Sequence, residues 1–108
     1  MTVESIVNEL FEQVRLAKPA SLKQLASLRE YLEASQPHFV RSVADKNKGL
    51  TYQEELVCLL LREGFTPSNI AVLLDVSQQR ITNLRTTINR KLFREKGTLG
   101  LDIRLKQL

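Results

Sequence analysis

The chain has 108 residues, 43% of them hydrophobic, and a formal net charge of +4, which fits one domain of ordinary composition. Its single cysteine excludes an internal disulfide or a zinc site built from several cysteines, and four glycines, three prolines and no tryptophan favour helices over a β-sandwich. No apolar run approaches the ~20 residues needed to span a membrane, and the acidic, amphipathic N-terminus does not resemble a signal peptide. We therefore expect a cytoplasmic segment that makes no membrane contact.

Residues 1–49 are predicted to form two or three amphipathic helices that support, tether or dimerise the rest of the chain. The first is expected over residues 2–18, with Pro19 ending it, because proline cannot continue a helix. Its predicted inward face comprises Val3, Ile6, Val7, Leu10, Phe11, Val14 and Ala17.

The second and third helices are predicted from a capping signal and a proline. Ser21 and Gln24 have the spacing of a capping box, so the second helix is expected from there to about residue 34. Pro37 then opens a short helix that is expected to end near residue 44. The predicted inward residues are Leu22, Leu25, Leu28 and Leu32 in the second helix and Phe39, Val40 and Val43 in the third.

Three further helices joined by two short turns are predicted between Leu50 and Leu92. Thr51 and Glu54 form another capping-box sequence, and the dense apolar run that follows, with Cys58 inside it, indicates burial on more than one side. Thr66 caps the second helix of this unit, and Ser77 caps its third helix, expected at about 77–95. An all-α fold follows, in which residues 50–108 form a helix-turn-helix unit of three or four helices.

The third helix of the unit separates an apolar from a polar face. At about 100° per residue, its residues divide into two stripes. The apolar stripe is Ile81, Leu84, Ile88 and Leu92, and the opposite stripe, here called the outer face, is Gln79, Thr82, Asn83, Thr86 and Arg90. From Val76 to Lys96 there are six basic residues and one acidic residue, a local charge of +5 (six minus one).

Amide and hydroxyl side chains beside clustered positive charge favour double-stranded DNA as the partner. Asparagine and glutamine can bond adenine through two hydrogen bonds, threonine can contact a thymine methyl group, and basic side chains neutralise phosphates. We expect the third helix to enter the major groove. The predicted contacts are Gln79, Arg80, Thr82, Asn83, Arg85, Thr86, Arg90, Lys91, Arg94 and Lys96.

These residues resemble the helix-turn-helix of LuxR/GerE-type transcriptional regulators. The matching residues are Leu50, Thr51, Glu54, Gly64, Ile70, Ala71, Leu74, Ser77, Ile81, Ile88, Lys91 and Leu92. The resemblance is to the C-terminal output domain of Bacteroidetes-type regulators, including a Pro-x-Phe element at 37–39. It implies a last helix that often dimerises, a homodimer, and in some relatives an N-terminal sensor domain in a longer chain. This chain departs from the pattern at Thr82 and Thr86, where the family often has lysine or another polar or basic residue.

Two alternative functions and one excluded class complete the prediction. A promoter-binding region like that of sigma factors uses a similar helix pair, and a helical protein-interaction domain could reuse the fold. Catalysis, a cofactor and a metal site are not expected, because His38 and Cys58 have no suitable neighbours and no phosphate-binding glycine loop is present. The last ten residues fit a helix or a strand, and we favour a helix.

Overall fold

The computed structural model describes residues 3–108, and the surroundings of their side chains from residue 5 onward. These residues form an all-α fold without strands, as predicted. The predicted start at Thr2 and the inward position of Val3 lie outside this description. None of the helices formed by residues 3–108 is long and apolar enough to cross a lipid bilayer. The helices are α1 (Val3–Arg15), α2 (Leu22–Ser35), α3 (Pro37–Val43), α4 (Tyr52–Arg62), α5 (Pro67–Leu74), α6 (Gln78–Phe93) and α7 (Leu101–Lys106).

The predicted capping residues begin four of the helices. In the box that opens α4, the Glu54 amide donates to Thr51 Oγ1 at 3.2 Å and the Thr51 amide donates to Glu54 Oε1 at 2.8 Å. Ser21 and Gln24 form the same reciprocal pair before α2. The hydroxyl groups of Thr66 and Ser77 each accept one amide hydrogen bond at the starts of α5 and α6. These bonds satisfy donors that have no partner inside a helix.

One cluster of buried side chains joins the two predicted segments, 1–49 and 50–108. The central helix α4 contributes six consecutive buried residues, from Leu56 to Leu61, so it is surrounded as its sequence predicts. Helix α1 packs against α2 and α5, and Phe11 stacks on Phe65 with ring centroids 4.1 Å apart. Helix α1 therefore supports α5 directly, while α2 and α3 pack against α4.

Three predictions for the N-terminal helices are wrong. Helix α1 ends at Arg15, before Pro19 is reached, because Ala17 adopts a left-handed conformation with φ of 55°. Ala17 and Phe11 were expected to face inward, but Ala17 lies beyond the helix and is exposed, and Phe11 is 40% exposed although its ring stacks on Phe65. Leu22 was expected to face inward, but it is 81% exposed at the first position of α2. The remaining leucines of the predicted stripe, Leu25, Leu28 and Leu32, are buried as expected.

The C-terminal residues form the predicted helix, α7, after a turn. Helix α6 ends at Phe93, about two residues earlier than expected, where Arg94 adopts φ of 56°. Leu101 and Leu105 are fully buried, and α7 packs against α4. The guanidinium of Arg62 in α4 donates to the carbonyls of Leu105 and, at 3.2 Å, Leu108, which fixes the end of the chain.

Candidate nucleic-acid interface

Helix α6 is oriented with its apolar stripe in the core. Ile81, Leu84, Ile88 and Leu92 are all buried, and they contribute to the contacts of α6 with α4 and α5. The outer face points away from these contacts. Gln79, Thr82, Asn83 and Arg90 are exposed, and Thr86 is half-buried.

The two amide side chains of the outer face are linked to each other. Gln79 Nε2 donates to Asn83 Oδ1 at 3.0 Å, across one helical turn. Within the described residues, Gln79 Oε1 and Asn83 Nδ2 have no hydrogen-bond partner. One free acceptor and one free donor are therefore present on the exposed surface. The edge of an adenine base also offers one acceptor and one donor in the major groove.

The threonines of the outer face differ in their free groups. The Thr86 hydroxyl donates to the Thr82 carbonyl at 3.0 Å, a common bond of helical threonine. Thr82 is exposed, and its own hydroxyl makes no hydrogen bond among the described residues. Thr82 therefore retains both donor and acceptor capacity, whereas the donor of Thr86 is occupied.

Four of the basic residues predicted to contact DNA lie exposed along α6 and just after it. Arg80 is near the start of the helix, where one guanidinium nitrogen donates to Gln53 Oε1 of α4 at 3.0 Å. Arg90 is in the last turn, and Arg94 and Lys96 follow the helix. Helix α6 contains no acidic residue, so these cations surround a surface with positive local charge.

Two other predicted contacts, Arg85 and Lys91, are turned toward the protein. Arg85 pairs with Asp102 of α7 at 3.4 Å, with 18% of its side chain exposed, and its buried Nε has no partner within the described part of the chain. Lys91 Nζ donates to Glu54 Oε1 at 2.8 Å and to the Gly49 carbonyl at 2.9 Å. We therefore leave both residues out of the candidate contact surface.

The Glu54 carboxylate is the buried partner of Lys91. Burial raises the pKa of a carboxyl group, but the hydrogen bonds from Lys91 and from the Thr51 amide outweigh that effect, so the pKa of Glu54 is lowered. Glu54 is only 3% exposed, yet because its pKa is lowered it remains ionised at neutral pH. The pair joins the first turn of α4 to the last turns of α6.

A further polar residue of α6, Asn89, was missed by the sequence reasoning. Its side chain is fully buried, and its Nδ2 donates to the Gly97 carbonyl at 3.1 Å. Its Oδ1 accepts a hydrogen bond from Arg104 of α7 at 3.2 Å. Asn89 therefore ties α6 to the turn before α7. Its position beside the apolar stripe is the only sequence signal for this role.

The hydroxyl-capped start of α5 lies beside the start of α6. Gln78 Nε2 donates to Ser68 Oγ at 3.2 Å, which links the first turns of these two helices. Only Asp75, Val76 and Ser77 separate the helices along the chain, and Asp75 adopts a left-handed conformation with φ of 55°. The turn is therefore tight, as predicted, and the two helix starts are held together.

The single cysteine and the single histidine lie in different surroundings. Burial raises the pKa of the Cys58 thiol, and the nearby charges of Glu54 and Glu55 add to this effect, so the thiol stays neutral. His38 is exposed at the start of α3. Among the described residues, no group of three or more His, Cys, Asp or Glu side chains is placed to hold a metal ion.

Comparisons of the chain with protein-family models, with curated proteins and with solved structures found no match. A functional assignment therefore depends on the composition and geometry of the α6 surface.

Proposed function

We propose that the chain binds double-stranded DNA in a sequence-specific manner and acts as a transcriptional regulator of the LuxR/GerE type. In this proposal α4, α5 and α6 form the helix-turn-helix unit, and α6 lies in the major groove, which is wide enough for an α-helix. The proposal includes no enzymatic activity. The signal that regulates DNA binding would be received by a sensor domain in a longer chain.

The orientation of α6 is the observation that carries the proposal. The apolar stripe is buried, so the outer face is left exposed with unpaired amide groups on Gln79 and Asn83. A polar surface of this kind can exchange its bonds to water for bonds to base edges. Thr82 adds a hydroxyl and a methyl group to the same surface.

The exposed cations would provide affinity and the amides would provide sequence choice. Arg80 lies in the first turn of α6 and Arg90 on its outer face, and Arg94 and Lys96 follow the helix. From these positions they can neutralise phosphates on either side of the groove. Phosphate contacts do not distinguish sequences, so discrimination falls to Gln79 and Asn83.

A homodimer is part of the proposal. Two copies of a helix-turn-helix unit read two half-sites related by two-fold symmetry, which adds contacts that one unit lacks. Leu99, just before α7, and Ile103, within it, are 89% and 65% exposed, and a second copy would cover these apolar side chains.

Selection of bound sequences from a random duplex pool tests the proposal. We expect enrichment of a two-fold symmetric motif. In the Asn83→Ala variant, the preference at one position of each half-site should weaken by about 1–3 kcal/mol, the worth of a bidentate contact. Asn8→Ala, at an exposed position of α1, is the matched control and should select the wild-type motif. A bound pool no different from the input would contradict the proposed function.

A further inference from the structure

The turn between α3 and α4 carries two lysines, Lys46 and Lys48, that the sequence reasoning left unassigned. Both are exposed, and neither makes a salt bridge or a side-chain hydrogen bond within the described residues. The turn itself is ordered by hydrogen bonds. The Asp45 carboxylate accepts the Asn47 amide at 2.9 Å, and the Asp45 carbonyl accepts the Lys48 amide at 3.0 Å.

Lys91 fixes this turn against the C-terminal half of α6. Its Nζ bonds the Gly49 carbonyl at 2.9 Å and is itself held by buried Glu54. Consecutive Cα atoms are about 3.8 Å apart, so Lys48 lies next to this attachment point. The lysine that was predicted to contact phosphate therefore positions two other lysines beside the helix.

The attachment lies on one flank of the outer face. At about 100° per residue, Lys91 is one step around α6 from exposed Arg90, and Arg80 projects in nearly the same direction as Lys91. Arg80 reaches Gln53 of α4 on that flank, as Lys91 reaches Gly49. The turn and the start of α4 thus lie along the same side of α6.

We propose that Lys46 and Lys48 contact the phosphates of the DNA strand on this side of the groove. The inference rests on the proposed function. A helix in a groove about 12 Å wide has a sugar–phosphate backbone on each side, and the basic turn faces one of them. The turn has two lysines and one acidic residue, Asp45, which gives it a net charge of +1 (two minus one). The Asp45 carboxylate is turned to the Asn47 backbone amide, from which it accepts a hydrogen bond.

The Lys46→Gln/Lys48→Gln variant tests the contact through the salt dependence of DNA affinity. The probe is the duplex selected by the wild-type chain, and Kd is measured over a series of salt concentrations. Each neutralised phosphate contributes about 0.9 to the slope of log Kd against log salt, so the slope should decrease by nearly 2. The matched control is Lys18→Gln/Lys23→Gln, which removes the same charge from two other exposed positions. Lys18 lies between α1 and α2, and Lys23 lies in the first turn of α2.

The results separate the two proposals. A reduced slope in the turn variant alone supports the phosphate contact. If both double variants keep the wild-type slope, or lose it equally, the contact is overturned while DNA binding by the wild type still supports the proposed function. If the wild-type chain shows no salt-dependent affinity for any duplex, both proposals are overturned. Circular dichroism spectra of the variants should match the wild type, since neither Lys46 nor Lys48 supports the fold.

Discussion

Asn83 and Asn89, six positions apart on the same helix, illustrate how burial divides structural residues from the residues proposed to contact DNA. Asn83 is exposed, and its Nδ2 is free among the described residues. Asn89 is fully buried and bonds the Gly97 carbonyl and Arg104. Removal of the amide should therefore lower the stability of the fold at position 89 but not at position 83, because only a buried amide leaves other polar groups without partners.

We predict that Asn89→Ala lowers the free energy of unfolding by about 1–3 kcal/mol, because the fully buried Asn89 amide no longer bonds the Gly97 carbonyl and Arg104. Asn83→Ala should change it by less than about 0.5 kcal/mol, as is usual for surface positions. Urea denaturation of the two variants and the wild type measures both values. Equal destabilisation by the two substitutions would contradict the assignment of their roles.

Local sequence predicted the outer face well and the cations less well. Helical spacing alone places Gln79, Thr82 and Asn83 opposite the buried stripe. The partners of Arg85 and Lys91 lie 17 and 37 residues away along the chain, at Asp102 and Glu54. A pairing over such distances depends on how α4, α6 and α7 pack, which helical periodicity does not contain.

At the scale of helices, the starts were easier to predict than the ends. A helix start is set by a side chain and an amide three residues away, so Ser21, Thr51, Thr66 and Ser77 were identifiable. The end of α1 depends on the left-handed conformation of Ala17, which no local signal requires. The exposure of Leu22 follows from its place in the first turn of α2, before that helix reaches the core.

The Glu54–Lys91 pair is the main polar connection between α4 and α6. The pKa of Glu54 in the folded protein lies below its ordinary value of 4.5, so the ionised carboxylate stabilises the fold above about pH 4.5. This contribution is lost as the pH falls through the lower, folded-state pKa. Protonation would leave Lys91 without its buried counter-charge.

We predict that the Glu54→Gln variant has a flatter stability profile than the wild type between pH 6 and pH 3, although it is less stable at pH 6. Thermal unfolding at several pH values measures the difference. Glu30→Gln removes an exposed carboxylate of α2 and should follow the wild-type profile. A parallel decline of wild type and Glu54→Gln below pH 4.5 would contradict a role for the pair in stability.

At the scale of the molecule, α4 and α5 hold α6 against the core, and the N-terminal helices support it through those two helices. Helices α4 and α5 pack on its apolar stripe, α1 packs behind α5, and Asn89 and Arg85 connect it to the C-terminal turn and α7. The fold thus leaves the outer face of α6 exposed to solvent. The net charge of +4 is modest, so any preference for DNA must come from where the charges lie.

The most direct test of DNA recognition by the outer face adds two negative charges there without changing the size of the side chains. The Gln79→Glu/Asn83→Asp variant is compared with Asn8→Asp/Gln107→Glu, which makes the same two chemical changes at exposed positions elsewhere. Affinity for the selected duplex is measured at one salt concentration. The loss of two base contacts worth about 1–3 kcal/mol each predicts at least a ~30-fold weaker Kd for the first variant. The control should stay within a few-fold of the wild type, and an equal effect of the two variants would contradict recognition by this face.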